Sequence, residues 1–265
     1  MNKPMIELKV ENHNYEYELG SLINIFQPHI DQMLKYTIVS KVNNNICTTQ
    51  ILKDKEIIEQ VSKNIDSMDL VMGTQEYRLR LTLKVTLYKA LSQLTNQTMP
   101  WGVLTGIRPT KIVHRYINAN YNKRTIIKTL VEKYCISREK AQLIMEVTQK
   151  ESQILSKNKQ GETSIYIGIP FCPTRCLYCS FTSYSLEEKS NQVDAYLDAL
   201  IKEIEYVAQN TQGRVIRSLY IGGGTPTSLN EMQLNRLLTT IDNCFDINNI
   251  EEYTIEAGRP DTITR

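Results

Sequence analysis

The sequence predicts an α/β protein in two parts, and three features carry that reading. Residues 1–155 mix short alternating apolar–polar segments with longer helical stripes, the pattern of an α+β domain. Residues 156–163, Ser-Lys-Asn-Lys-Gln-Gly-Glu-Thr, are polar and unpatterned and read as a linker. Over 164–265 the rhythm becomes strand, loop, helix, which implies a parallel sheet with helices outside it.

Taken in order, residues 5–10 (Met-Ile-Glu-Leu-Lys-Val) and 15–19 (Tyr-Glu-Tyr-Glu-Leu) alternate around Glu11-Asn-His-Asn14 and suggest a β-hairpin. Residues 20–34 place Leu22, Ile23, Phe26, Ile30 and Leu34 on one helical stripe, interrupted by Pro28. A second hairpin is expected for 36–41 and 46–52 around Asn43-Asn-Asn45, and 55–65 reads as a charged, weakly amphipathic segment. Leu79, Leu83, Leu87 and Leu91, with Leu94 a turn on, mark a long helix over 75–95. Met99 to Thr110, with the single tryptophan, two glycines and two prolines, must be a shaped loop. After it, Arg108, Lys111 and Arg115 form either an anion-contacting face or a solvated helix start. Two helices follow at 124–134 and 137–155, the second capped by Ser137. Beyond the linker come strands at 164–169, 215–221 and 253–256, with helices at 191–209 and 230–243.

Composition bounds the function classes. The chain has 265 residues, 41% hydrophobic and 23% charged, with a net charge of +2. That balance makes no case for nucleic acid. No signal-peptide core or bilayer-length apolar run is visible, so the default expectation is a cytoplasmic protein. Cys47, Cys135 and Cys244 are scattered and read as small packing residues.

The chemistry concentrates in Tyr166-Ile-Gly-Ile-Pro-Phe-Cys172-Pro-Thr-Arg-Cys176-Leu-Tyr-Cys179-Ser-Phe181. Three thiolates on one loop can hold a soft metal or an iron–sulfur cluster. Structural zinc usually takes four ligands, and no fourth Cys or His lies near. A second motif, Gly222-Gly-Gly-Thr-Pro-Thr227, follows the next strand, where glycines let a backbone approach a ligand. Glu256 ends the third strand and needs a partner, either a ligand or a basic group such as Arg259.

The cysteine loop resembles that of the radical S-adenosylmethionine (SAM) enzymes, most closely the oxygen-independent coproporphyrinogen III oxidase (dehydrogenase) group. Met99-Pro-Trp-Gly-Val-Leu-Thr-Gly-Ile-Arg-Pro-Thr-Lys111 resembles a segment of the HemZ-like branch. The resemblance implies a [4Fe–4S] cluster on Cys172, Cys176 and Cys179. SAM would bind the open iron and be cleaved by one electron to a 5′-deoxyadenosyl radical. It assigns SAM contacts to Gly223, Gly224, Thr225 and Glu256, and to two aromatics, Tyr166 and Tyr178; core packing is the alternative for Tyr166. Gly222 is expected to serve the turn. The implied partners are a porphyrinogen substrate and a low-potential electron donor such as flavodoxin or ferredoxin, and the implied fold is a partial (β/α)6 TIM-like barrel. Three strand–helix units fit where about six are needed, so the sequence is expected to be truncated at its C-terminus. Two departures, Gly168 in place of a frequent His and Phe181 in place of a cysteine, move the chain toward HemZ-like and HemW-like relatives. They leave three functions open: oxidative decarboxylation of coproporphyrinogen propionates to vinyls, haem chaperoning without that reaction, or radical chemistry on another substrate.

Overall fold

In a computed structural model, the described residues are 5–31, 33–68, 71, 73–106, 108–211 and 213–263. They fall into two compact units, Met1–Ser156 and Lys157–Arg265.

The N-terminal unit opens with β1 (Met5–Glu11), α1 (Glu16–Phe26), β2 (Lys35–Asn43), β3 (Ile46–Lys53) and β4 (Glu56–Asn64). Its sheet runs β1-β2-β3-β4, with β1 parallel to β2 and the other pairs antiparallel. The expected first hairpin is therefore corrected. Residues 16–19 begin a helix, because Leu19, Leu22, Ile23 and Phe26 recur at helical spacing and all are buried. Tyr17, read as strand, is 85% exposed. Parallel pairing of β1 with β2 needs a crossover rather than a tight turn, and α1 supplies it. The helix stops at Phe26, where a 3-10 turn over Gln27–His29 holds Pro28. The second hairpin forms as expected, with Asn44 and Asn45 both at positive φ. The charged segment over 55–65 forms the edge strand β4, whose charges stand on an exposed edge.

Helix α2 (Gln75–Thr95) packs on β3 and β4. Thr74 caps its start by accepting from the Tyr77 N–H, and Asn96 ends it in the left-handed region. The leucine stripe divides: Leu83, Leu87 and Leu91 are fully buried, whereas Leu79 and Leu94 sit at the margin of the core. Helices α3 (Thr110–Asn118), α4 (Lys123–Tyr134) and α5 (Arg138–Leu155) complete the unit. Ser137 caps α5 as the sequence suggests. The loop from Met99 is pinned to the α4–α5 turn by Val103 N–H to Tyr134 O (3.0 Å) and Ser137 N–H to Pro100 O (2.9 Å). A Cβ on Gly102 would lie 2.2 Å from Tyr134 O, so no other residue fits that crossing.

The C-terminal unit contains β5 (Glu162–Ile169), β6 (Phe171–Cys172), β7 (Tyr184–Ser185), α6 (Leu186–Lys189), α7 (Val193–Asn210), β8 (Val215–Gly223), α8 (Glu231–Cys244) and β9 (Glu252–Ile255). Strands β5, β8 and β9 form one parallel sheet in that order, and β6 pairs with β7. Ile167, Ile169, Leu219 and Ile221 enter a core shared with Leu197 of α7 and Leu237 of α8. Period-2 alternation sends the intervening Tyr166, Gly168, Tyr220 and Gly222 to the opposite face. Cys47 is fully buried, which pushes its thiol up to about 12; Cys135 and Cys244 are half-buried.

Arg217 on β8 is buried between Glu162 Oε2 at 3.0 Å and Glu251 Oε2 at 2.8 Å. The Lys159 N–H and the Arg217 guanidinium hold the Glu162 carboxyl below its usual range. This group stabilises the fold fully above the ordinary glutamate pKa and loses that contribution as pH falls through its lower folded value. Urea unfolding against pH should therefore show an acid-side loss that is shallower in Glu162→Gln. Leu87→Ala should cost about 2–5 kcal/mol by the same measurement.

Candidate cluster and nucleotide site

The cysteine loop leaves β5 at Ile169 and is held by the glycine run that leaves β8. Gly224 N–H donates to Ile169 O and Thr225 N–H to Phe171 O, both at 2.8 Å. The Ser228 hydroxyl adds a bond to Phe171 O, and the Thr225 hydroxyl lies 3.4 Å from Cys172 Sγ. Approach this close requires glycine. A Cβ at Gly224 would meet Phe171 O at 2.7 Å and Cys172 Sγ at 3.0 Å. Gly223, at φ +111, turns the chain beside the Ile169 backbone. Gly222 does not serve the turn as expected. It is still in strand register, opposite Gly168, and a Cβ there would strike the Tyr220 ring at 2.7 Å and Glu256 at 3.1 Å.

Glu256 follows β9 and finds its partner in Tyr220, whose hydroxyl donates to Oε1 at 2.6 Å. That bond is the largest cause raising the Tyr220 pKa. Tyr220 in turn stacks on Tyr166, with ring centroids 5.8 Å apart and planes at 13°. Tyr166 is 64% exposed, so core packing does not describe it. Arg259, the alternative partner for Glu256, is engaged elsewhere. Its Nε and Nη2 fork onto Asp261 at 3.0 and 2.8 Å, and it donates to Thr174 O and Thr174 Oγ1 at 3.0 and 3.1 Å. Its Nη1 lies 3.8 Å from Cys176 Sγ. The Ser183 hydroxyl, 3.6 Å from Cys179 Sγ, leads the interactions that hold the Cys179 thiol below its ordinary value.

One open cavity of about 740 Å³ gathers Cys172, Cys176, Cys179, Tyr178, Gly223, Gly224, Thr225, Glu256 and Arg259. Tyr166 does not line it and reaches it only through Tyr220 and Glu256. Thr225 is 3% exposed and its N–H and hydroxyl face the cysteine loop, whereas Tyr178 is 89% exposed at the rim. Sequence reasoning missed Tyr220, Thr174 and Ser183. A signal for Tyr220 existed: Tyr166-Ile-Gly168 recurs as Tyr220-Ile-Gly222, and the two tripeptides pair in register.

Among the described residues no three His, Cys, Asp or Glu side chains converge as ligands of a single ion. A four-iron cube asks for something else, since each thiolate serves a different iron and the sulfurs stand apart by the width of the cluster. Three thiols around one cavity, flanked by a guanidinium and hydroxyls and cradled by backbone without a Cβ, fit such a group. Glu256 retains acceptor capacity for a cation or hydroxyls beyond the bond it takes from Tyr220.

No family model matches the sequence. Among curated proteins, the chain is 33% identical over 231 residues to the oxygen-independent coproporphyrinogen-III oxidase-like protein HemZ of Bacillus subtilis, covering 85% of this chain and 46% of that protein. It is 40% identical over 102 residues to the heme chaperone HemW of Lactococcus lactis, covering 38% and 25% of the two chains. It is 36% identical over 105 residues to the oxygen-independent coproporphyrinogen III oxidase of Escherichia coli, covering 40% and 23%. The solved Escherichia coli coproporphyrinogen III oxidase HemN, described as a radical SAM enzyme, aligns with a TM-score of 0.33 and 33% identity over 40% of this chain and 25% of that one. The chain is thus similar in sequence to proteins of the oxygen-independent coproporphyrinogen III oxidase group, HemZ among them. It spans less than half the length of the HemZ relative and about a quarter of the others.

Gly224→Ala should displace the loop it crosses. Circular dichroism should still report a folded chain, while anaerobic iron–sulfide reconstitution should retain well under half the iron of the parent.

Proposed function

We propose that residues 164–265 are the cluster- and SAM-bearing first half of a partial (β/α)6 barrel, with 1–155 as an accessory domain, in a radical SAM oxidoreductase related to coproporphyrinogen dehydrogenases. The observation that supports this most is the convergence of three thiols, the glycine strap and Glu256 on one cavity. Cys172, Cys176 and Cys179 would hold a [4Fe–4S] cluster. Gly223, Gly224, Thr225 and Glu256 would hold SAM, with Tyr178 covering it and Tyr166 acting through Tyr220. A cluster with SAM bound supplies one-electron SAM cleavage and hydrogen-atom abstraction.

The chain's own groups do the orienting. Arg259, fixed by Asp261, places positive charge beside Cys176 and ties the loop through Thr174. Tyr220 fixes the Glu256 carboxylate so that it meets a cation or ribose hydroxyls without reorganising. The Gly224 and Thr225 amides are committed to the cysteine loop, so any backbone contact to a nucleotide falls to other groups of that segment.

The reaction we assign is oxidative decarboxylation of porphyrinogen propionates to vinyls in haem biosynthesis, fed by a low-potential donor such as flavodoxin or ferredoxin in the cytoplasm. No helix among the described residues is long and apolar enough to cross a membrane. Phe181, where the oxidases carry a further cysteine, together with the HemW relatives, favours a second reading as a haem-binding chaperone.

Anaerobic reconstitution should load about four irons per chain, and SAM should alter the electron paramagnetic resonance spectrum of the reduced protein. Cys172→Ala should abolish both. Glu256→Gln should weaken SAM binding about tenfold or more while iron loading is unchanged, as expected for loss of a charge-assisted contact. Iron that fails to load, or a spectrum indifferent to SAM, would defeat the reading. A protein extended to the relatives' length, given SAM, reductant and coproporphyrinogen III, should form protoporphyrinogen IX; haem binding without turnover would select the chaperone.

A further inference from the structure

The N-terminal unit contains another cavity, of about 340 Å³, lined by Val103 to Gly106, Arg108 and Pro109 of the loop before α3 and by the helices on either side of it. Its floor is apolar, with Leu81, Val103 and Ile112 among the lining residues. Five cations stand around it, Arg80 and Lys84 on α2, Arg108 in the loop, Lys111 and Arg115 on α3, and among the described residues no carboxylate lines it.

Two of these cations, Arg80 and Lys84, form a like-charged i, i+4 pair on α2. Such a pair is unfavourable on a helix surface unless something neutralises it. Arg80 meets Glu18 at 3.8 Å and lies over the Tyr15 ring. Lys84 is half-buried and donates to the Thr105 hydroxyl at 2.8 Å, which leaves two of its three N–H donors for another acceptor. Burial, then the neighbouring Arg80 charge, lowers its pKa, and Glu18 only partly opposes them. Among the described residues no carboxylate approaches Arg108 or Lys111 within 4.0 Å, the limit at which the chain's other ion pairs are found. Arg108 is held at φ +59, a conformation uncommon for a residue with a side chain. Helix α3 also starts without an acidic residue in its first turn, so its positive end is uncompensated on the cavity side.

We propose that this cavity binds a small organic anion carrying at least two carboxylate or phosphate groups on an apolar frame, with Lys84, Arg108 and Lys111 as its principal contacts. The volume sits near the lower end of the range of about 300–1,000 Å³ usual for small-molecule sites. Lys84 on α2 and Arg108 with Lys111 beyond it in the chain supply separate oxyanion contacts, and the floor takes the apolar body. The site needs neither the cluster nor SAM and stands independently of the function proposed above.

Isothermal titration calorimetry on the 265-residue chain at constant ionic strength tests it, with isophthalate, inorganic pyrophosphate and benzoate as probes. Saturable binding of isophthalate or pyrophosphate, one molecule per chain and about tenfold or more tighter than benzoate, is expected. The tighter of the two probes identifies carboxylate or phosphate as the recognised group. Arg108→Gln and Lys111→Gln, both at exposed positions, should each weaken binding about tenfold, and Lys84→Met should do the same with an unchanged circular dichroism spectrum. Lys202→Gln, on α7, should leave it unaltered. Absence of saturable heat with both dianions, or equal affinity in folded Arg108→Gln and Lys111→Gln variants, would overturn the assignment.

Discussion

The C-terminal unit depends on two backbone hydrogen bonds, Gly224 N–H to Ile169 O and Thr225 N–H to Phe171 O. They join the ends of two neighbouring parallel strands beyond the point where strand pairing stops. Through them the thiol loop inherits the rigidity of the sheet rather than the mobility of a surface loop. The thiol loop and the glycine run are placed by that junction. Cys172 follows the strapped residue Phe171, the cradle at Gly224 sets the depth of its sulfur, and Gly222 clears space for Tyr220 of its own strand and for Glu256 just after β9. This is the usual economy of parallel α/β sheets, in which chemistry collects at the carboxyl ends of strands.

Much of this was legible in the sequence, and what was not has definable causes. Helical stripes and caps were readable because leucines at every fourth position and Thr, Asn or Ser ahead of a helix act locally. The parallel alternation after residue 164 was readable for the same reason. Tyr15 to Leu19 misled because five alternating residues do not fix a period, and the deciding partners, Ile23 and Phe26, lie further along. The edge strand β4 was hidden by charges that an edge tolerates. In the site, residue types and spacing located the thiols, the glycines and Glu256. They did not locate who holds whom. That Glu256 is held by Tyr220 and Arg259 by Asp261 depends on strand register and loop path, which are long-range properties.

Electrostatics divide the molecule into two regimes. Around the thiols, the Arg259 guanidinium near Cys176 is balanced by Asp261, and Arg175 acts on Cys179 from within the loop. Around the cavity of the N-terminal unit five cations gather, and among the described residues no carboxylate lines it. A net charge of +2 conceals this contrast, because a chain-wide sum says nothing about where charge is focused.

Arg259 sets a temporal order on assembly. It lies 85 residues beyond Thr174, and it is the group that closes the cysteine loop from the far side. During synthesis, which runs from the N-terminus, the thiols are exposed to solvent long before β9 and its arginine have left the ribosome. The loop therefore passes through an unclamped stage that ends only when the segment after the third strand has been made.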